Sequence, residues 1–406
     1  MRRIAIDLQP LRASRDLRLL LAGEFLTGLG TQAALVALPY QLYTQTGSAF
    51  LTGLLGAAEL LPQIAAGLYG GAIADRMDRR RLLLFVQIGL VLTSAALAAG
   101  AFAGEPPVWL LYVLGGTLAA FGAIEGVTRA SIVPNLVEPE HLRGALALNY
   151  GLYQLCAVVG PGAGGLLIAA AGVKGAYLAD AVSCLCMTAA VAAMGPQLPR
   201  GEHAAGTGIR RAIADGLRFV RRNQALKGSF AIDLVAMTFG MPRALFAVLS
   251  VSVFGTGAAG TGVLYAAVSA GAVVAALTTG WLGRARRLGR IVVAAVVVWG
   301  LAIAGVGLVG SLWPAAALLT LAGAADSISA VCRSTINQTV TPDALRGRMS
   351  SVFTVVVTGG PRLGDVEAGV VAALTSARFS VASGGLACVA GAGLVVLALP
   401  ALWTYE

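Results

Sequence analysis

Twelve charged side chains stand inside stretches of sequence that are otherwise apolar. Eight are acids (Glu24, Glu59, Glu125, Asp180, Asp233, Asp326, Asp365 and Glu367) and four are arginines (Arg129, Arg243, Arg333 and Arg362). A carboxyl group taken out of water takes up and releases a proton nearer to neutral pH than one in solution, and it also binds cations. Arginine keeps its charge and serves as a counter-ion. Spacing sorts the set. Glu125 and Arg129 are i,i+4, and Arg362 and Asp365 are i,i+3, so each couple shares a helix face. Each is either a structural ion pair or part of a functional site. Glu59, Asp233 and Asp326 have no basic partner nearby in their own helix and are the stronger candidates for chemistry. Asp180 reads as structural. Other chemistry is poorly supplied: the two histidines, His141 and His203, fall in polar joints, and no G-x-x-x-x-G-K-[ST] phosphate loop occurs. The chain is therefore read as neither an enzyme nor an ATP-driven pump. Its five cysteines are an odd number in apolar stretches and read as small buried residues.

The elements that hold these charges must cross a membrane. Of 406 residues, 57% are hydrophobic and 12% charged; mean hydropathy is +0.81. A soluble protein carries about twice that charged fraction. The stretches 82–104, 144–173, 244–283, 291–325 and 379–405 carry no charged residue at all, and a spanning helix needs roughly 20 residues. Soluble enzymes, nucleic-acid binders and disordered scaffolds are excluded. Turn chemistry at Thr46-Gly47-Ser48, Gly104 to Pro107, Glu138-Pro139-Glu140, Gly310-Ser311 and Thr341-Pro342-Asp343 divides the chain into twelve expected spans. Their limits are 17–43, 49–74, 81–103, 108–135, 141–171, 174–195, 223–253, 257–282, 289–310, 314–339, 344–372 and 378–403. Residues 196–222 form the one long polar connection, with an amphipathic interfacial helix expected at Ile209–Val220. The expected organisation is an N-terminal six-helix bundle (1–195), this linker, and a C-terminal six-helix bundle (223–406).

With twelve spans, 23 of the 29 Lys and Arg residues fall in joints on one side and two, Lys174 and Arg378, on the other. Positive charge marks the cytoplasmic face, so both termini and the linker are expected there. At 1.5 Å per residue, Glu59 and Asp233 lie near mid-membrane, Glu24 and Glu125 in the cytoplasmic half, and Arg362, Asp365 and Glu367 in the outer half. Trp109 and Trp313 read as interfacial anchors. Tyr40, Tyr43, Tyr150, Tyr153, Phe239, Phe246 and Tyr265 either line a site for a bulky substrate or pack.

The chain repeats itself. RASIVPNLVEPEHLRG at 129–144 resembles RSTINQTVTPDALRG at 333–347, with the Pro-x-x-Leu-Arg-Gly ends offset by 203 residues. Gly160-Pro161 is echoed by Gly360-Pro361, an offset of 200. Six spans return the chain to its starting side, so the two copies run in parallel.

The joint between spans 2 and 3 reads Gly71-Ala-Ile-Ala-Asp75-Arg76-Met-Asp78-Arg79-Arg80-Arg81. It resembles the loop signature G-x-x-x-D-R-x-G-R-[KR]-[KR] of the major facilitator superfamily, with Asp78 in place of the usual Gly, a modest change to the turn. Gly160, Pro161, Gly164 and Gly165 in span 5 resemble the signature of that superfamily's drug/proton antiporters. Leu264-Tyr265-Ala266-Ala267, Thr341-Pro342, Leu345 to Arg348 and Gly364-Asp365 resemble its enterobactin-exporter and macrolide-efflux branch. The resemblance implies an all-α fold of twelve helices in two pseudo-symmetric bundles. It implies that Asp75 is held against the start of span 11 and an arginine (Arg76, Arg129 or Arg333), rather than only ending span 2. It implies that Pro161 kinks span 5 against leakage, beside tight packing on span 1 or 8. Spans 1, 4, 7 and 10 would surround the cavity, making Glu24, Glu125, Asp233 and Asp326 the first proton or cation sites, with Glu59, Asp365 and Glu367 behind them. The implied activity is proton-driven export of drugs, macrolides or siderophores; nutrient symport is the alternative. Implied too are a cell-membrane monomer and no cofactor, with the proton gradient as energy source and a small molecule, protons and lipid as partners.

Overall fold

In a computed structural model, residues 9–74, 76–198, 217–342 and 346–405 are described. They are helical throughout, with no strand among them. The helices are α1 (Gln9–Ala13), α2 (Arg15–Thr46), α3 (Ala49–Ala74), α4 (Arg79–Ala103), α5 (Val108–Ile132), α6 (Leu142–Ala192), α7 (Gln224–Phe239), α8 (Leu245–Val248), α9 (Gly257–Thr278), α10 (Leu288–Leu308), α11 (Leu312–Val340), α12 (Arg346–Leu374), α13 (Ala377–Ala398) and α14 (Pro400–Trp403). Among the described residues, nine helices are long and apolar enough to cross a membrane. Three of the expected spans are outside that number for visible reasons. The 51-residue α6 joins spans 5 and 6 through Gly172, whose φ of 71° and ψ of 177° interrupt the helix where only glycine is comfortable. The 29-residue α12 carries five charged residues. Span 7, expected as one helix over 223–253, is broken between Phe239 and Leu245. Of the expected interfacial helix, 217–220 is helical and 209–216 lies outside the described residues.

The chain forms two compact units. The first comprises Met1–Leu38 and Leu61–Ala204, the second Pro39–Leu60 and Ala205–Glu406. The tip of the α2–α3 hairpin thus groups with the second unit. Its turn is made by Gly47, with φ 64°. In the first unit α4 packs on α5 and α6. The core at one end gathers Leu17, Leu20, Leu83, Ile132, Met187 and Val191, all fully buried. In the second unit α11 packs on α9 and α10, and α12 on α7 and α13. Leu277, Leu374 and Leu397 are about four-fifths exposed, as befits side chains facing lipid rather than water. Trp109 and Trp313 are likewise exposed.

The glycine-proline echo corresponds to one packing contact made twice. In the first unit a Cβ on Gly164 would lie 2.6 Å from Ala33 Cα, and one on Gly160 2.6 Å from Gln32 Cβ, so α6 rests directly on α2. In the second, a Cβ on Gly364 would lie 2.7 Å from the carbonyl oxygens of Met237 and Thr238, and one on Gly360 2.8 Å from Met237 Cβ, so α12 rests on α7 in the same way. Small residues allow such approach where lipid supplies no hydrophobic drive. Span 5 packs on span 1 as span 11 packs on span 7.

Candidate functional site

In the first unit, Arg129 of α5 turns to α2 and pairs with Glu24 at 3.4 Å. Asn149 of α6 donates to the other Glu24 oxygen, also at 3.4 Å. Glu125 accepts a hydrogen bond from Gln87 of α4 at 2.9 Å, and both are buried. The Glu125–Arg129 spacing thus serves two different cross-helix contacts. Asp180, read as structural, accepts from Ser94 at 2.6 Å and Thr31 at 3.5 Å.

The loop signature lies at the helix ends of the same unit. Arg80 donates to the carbonyls of Val191 and Ala192, at 3.1 and 2.5 Å, closing the C-terminus of α6. Arg79 donates to the Ser131 carbonyl at 2.7 Å, near the end of α5. Cations belong at helix C-termini, where carbonyls are unpaired and the dipole is negative. Asp78 does more than alter the turn: its carboxylate accepts from the backbone N–H of Arg80 and of Gln197, each at 3.0 Å, so it N-caps α4 and ties down the chain leaving α6. Gly71 lies beside Val127. Arg76 is exposed, and Asp75 lies outside the described residues. Two of its expected partners, Arg129 and Arg333, are paired with other acids.

The second unit holds a larger arrangement. Arg333 of α11 is buried, 2.5 Å from Asp233 of α7 and 3.7 Å from Asp326. Asp326 and Arg333 are seven residues apart, two turns along one face, so the expectation that Asp326 lacks a partner on its own helix is corrected. Glu59 of α3 pairs with Arg362 of α12, and Arg362 stands 3.9 Å from Asp365. Close packing permits this, since a Cβ on Gly53 or Gly56 would overlap the backbone of α12 at Asp365 and Arg362. Glu367 is half-buried and joins neither group.

Between the two groups lies the break in span 7. Pro242 has no N–H and cannot continue the helix. The backbone groups set free are taken up by side chains from three other helices. Trp299 Nε1–H donates to the Gly240 carbonyl at 2.8 Å, the Tyr265 hydroxyl donates to the Arg243 carbonyl at 3.1 Å, and the Ala244 N–H donates to Asp365 at 2.9 Å. Irregular backbone survives at membrane depth when it is satisfied in this way. Phe246 stacks edge-to-face on Tyr265 at 5.0 Å. Both are buried, so they support the break rather than an open site. Tyr150 and Tyr153 are exposed.

The charged residues named from the sequence are therefore gathered as Glu24 with Arg129, Gln87 with Glu125, Asp233 and Asp326 with Arg333, and Glu59 and Asp365 with Arg362. A family model described as transmembrane secretion effector, of the major facilitator superfamily, matches residues 6–403. The chain belongs to that family. It is a multi-pass membrane transporter of the major facilitator fold. It is 28% identical over 398 residues to the enterobactin exporter of Citrobacter koseri, covering 97% of this chain and 92% of the relative. It is 27% identical over 395 residues to that of Salmonella typhi, covering 97% and 93%. Among solved structures, a POT family transporter in complex with 5-aminolevulinic acid superposes with a TM-score of 0.75 at 11% identity, covering 96% of this chain and 97% of that one. A bacterial homologue of ferroportin in its inward-facing state superposes with a TM-score of 0.68 at 17% identity, covering 96% and 99%. These two likenesses establish the fold. The break in span 7 is the feature that the sequence reading does not expect; Arg243, which stands in it, is named there only as an intramembrane charge. The signal was present in Gly240-Met241-Pro242, and Pro242 repeats Pro39 at the offset of 203.

Proposed function

We propose that this transporter is a proton-coupled exporter of small amphiphilic molecules. It works by alternating access, as a monomer in the cell membrane with both termini in the cytoplasm, and carries out no chemical conversion. The observation that carries the reading is the charge balance of the buried sites. The first unit sets Glu24, Glu125 and Asp180 against Arg129. The second sets Glu59, Asp233, Asp326 and Asp365 against Arg243, Arg333 and Arg362. Each holds more acids than arginines, and a charge left over in a membrane is expensive. A proton on a carboxyl lowers the excess, so each unit is suited to take up and release protons. The cytoplasmic placement of the termini rests on the 23 basic residues of one face. Export rests on the span 5 signature and on the curated relatives, which are enterobactin exporters. Siderophores are thus the first compounds to test, followed by macrolides and cationic dyes.

The test uses acid-loaded inside-out membrane vesicles containing the full chain, with enterobactin, erythromycin and ethidium as probes. Addition of a transported probe is expected to release protons, and Asp233→Asn with Asp326→Asn is expected to abolish the release while the protein stays monodisperse. A probe flux that needs no proton gradient and survives both substitutions overturns proton coupling. Proton movement in the same direction as the probe replaces export by symport.

A further inference from the structure

The Asp233–Arg333 pair is one end of a row of buried polar side chains, and the rest of the row takes no part in the proposed exchange. Arg333, Asn337 and Thr341 follow one another at i, i+4 and i+8 along one face of α11. Ser229 stands one turn before Asp233 on α7. Ser229 and Thr341 are 1% and 5% exposed. Ser229 Oγ, Asn337 Oδ1 and Thr341 Oγ1 are all buried and have no hydrogen-bond partner among the described residues. Two contacts fix the register of the helices. Asp233 meets Arg333, and Val340 packs against the cluster of Leu226 and Phe230, so residue numbers fall along α7 as they rise along α11. Ser229 is thereby set at the level of Asn337. Thr341, which ends α11, is set at the level of the first turn of α7.

Buried hydroxyls and amides keep a hydrogen-bond partner, and where protein supplies none the partner is water. Residues four apart are about 6 Å apart along a helix, a gap that one water bridges with two hydrogen bonds. We propose that Ser229, Asn337 and Thr341 hold a file of water that carries protons between Asp233 and the face read as cytoplasmic. Each hydroxyl both donates and accepts, and the Asn337 carbonyl oxygen orients the water between them. A proton that leaves the Asp233 carboxyl passes along the file by exchange of hydrogen bonds. It emerges on water beside Thr341 and leaves a carboxylate paired with Arg333. Leu226, Phe230 and Val340 wall the file with apolar side chains. Arg333 closes its inner end, because a fixed positive charge repels an excess proton. The file therefore does not run on to Ser329 and Asp326, which lie on the far side of Arg333 along α11, and Asp233 is served from one face without a leak to the other. The proposal rests on the proton-coupling reading for its purpose, and its test needs no transported substrate.

The test is hydrogen–deuterium exchange of the protonated Asp233 carboxyl, read by infrared spectroscopy on the purified full chain in lipid nanodiscs. The band is assigned by its loss in Asp233→Asn. After transfer to heavy water, Ser229→Ala with Asn337→Leu is expected to slow its exchange about tenfold, because a polar stop lost from the file raises the barrier by about one unmade hydrogen bond. Each single substitution is expected to give part of that slowing and keeps the test open where the double variant does not fold. Ser229→Thr and Asn337→Gln, which retain a hydroxyl and an amide, are expected to stay within about twofold of the wild type. Ser329→Ala alters a fully buried hydroxyl on the same helix beyond Arg333 and is expected to leave the rate unchanged. The file is overturned if loss of Ser229 and Asn337 leaves exchange at the wild-type rate, if Ser329→Ala slows it as much, or if no protonated Asp233 band forms down to about pH 4. Exchange that slows as expected in a protein whose acid-loaded vesicles release no protons preserves the file and refutes proton-coupled export. Proton release with exchange indifferent to these substitutions refutes the file alone.

Discussion

In both units an arginine at the same place in the repeat, Arg129 or Arg333, pairs with an acid on the first span of its unit, and the surroundings make the two pairs different devices. In the first unit Glu24 meets Arg129 at 3.4 Å, and the arginine side chain is 21% exposed. The neighbouring acid, Glu125, is turned away to Gln87. In the second unit Asp233 meets Arg333 at 2.5 Å, the arginine side chain is 5% exposed, and Asp326 is held by the same guanidinium. An ion pair with access to water is worth little, whereas a buried charge that loses its partner is costly. The repeat therefore preserves the arginine and the helices it joins, and not the energetic weight of the pair. One copy sets a single acid against an arginine that reaches water; the other sets two acids against one buried arginine.

The sharpest way to break this comparison is to remove each arginine in turn. Arg333→Ala leaves Asp233 and Asp326 without their shared cation and is expected to cost about 3–5 kcal/mol. Arg129→Ala strands one buried acid, Glu24, that Asn149 still serves, and is expected to cost less, about 1–3 kcal/mol. Thermal unfolding of the purified variants in detergent measures both. Equal losses would mean that the two pairs are equivalent after all. A second contrast lies in the paired glycine contacts. Gly364 faces the carbonyl oxygens of Met237 and Thr238, which cannot yield, whereas Gly160 faces the movable side chain of Gln32. Gly364→Ala is expected to cost about 2–3 kcal/mol as overpacking and Gly160→Ala about 1 kcal/mol. The folded fraction recovered from membranes by size-exclusion chromatography reads the order. The smallest effect is expected at the loop that the first unit has elaborated. Asp78→Ala removes the N-cap of α4, worth about 1 kcal/mol, and frees Gln197. It should lower the melting temperature by a few degrees; an unchanged melting temperature would return Asp78 to a simple turn residue.

Much of the architecture was legible because lipid imposes it. Length and uncharged runs mark most of the spans, and Gly172 falls at the joint expected between spans 5 and 6. The Gly-Pro echo carried real packing information, since glycine at a helix crossing is a steric requirement that sequence displays directly. The pairing of charges was less legible. Glu24 and Arg129, or Glu59 and Arg362, are brought together by tertiary structure across more than a hundred residues, and nothing local announces them. Where a local rule was available it did not decide: the i,i+4 spacing of Glu125 and Arg129 left a pair within one helix open, and each makes a contact across helices. The seven-residue spacing of Asp326 and Arg333 is two turns of one helix face, a longer reach than the i,i+4 rule covers. The break at Pro242 was hidden because an equivalent proline, Pro39, is accommodated within an unbroken α2. What separates the two cases is the set of partners from Trp299, Tyr265 and Asp365, which only the folded chain assembles.

The broken span 7 also sets a problem of timing during synthesis. Arg243 leaves the ribosome 83 residues before Asp326 and 122 before Asp365. At about 5–20 residues per second, these two acids beside the link are made on the order of 5–20 s later. Through that interval the guanidinium is one that apolar surroundings reject, by about 2.5–3.5 kcal/mol on insertion scales. The free backbone groups of the link are satisfied by Tyr265, Trp299 and Asp365, all made after it, so the second unit is a structure that closes from its end backwards.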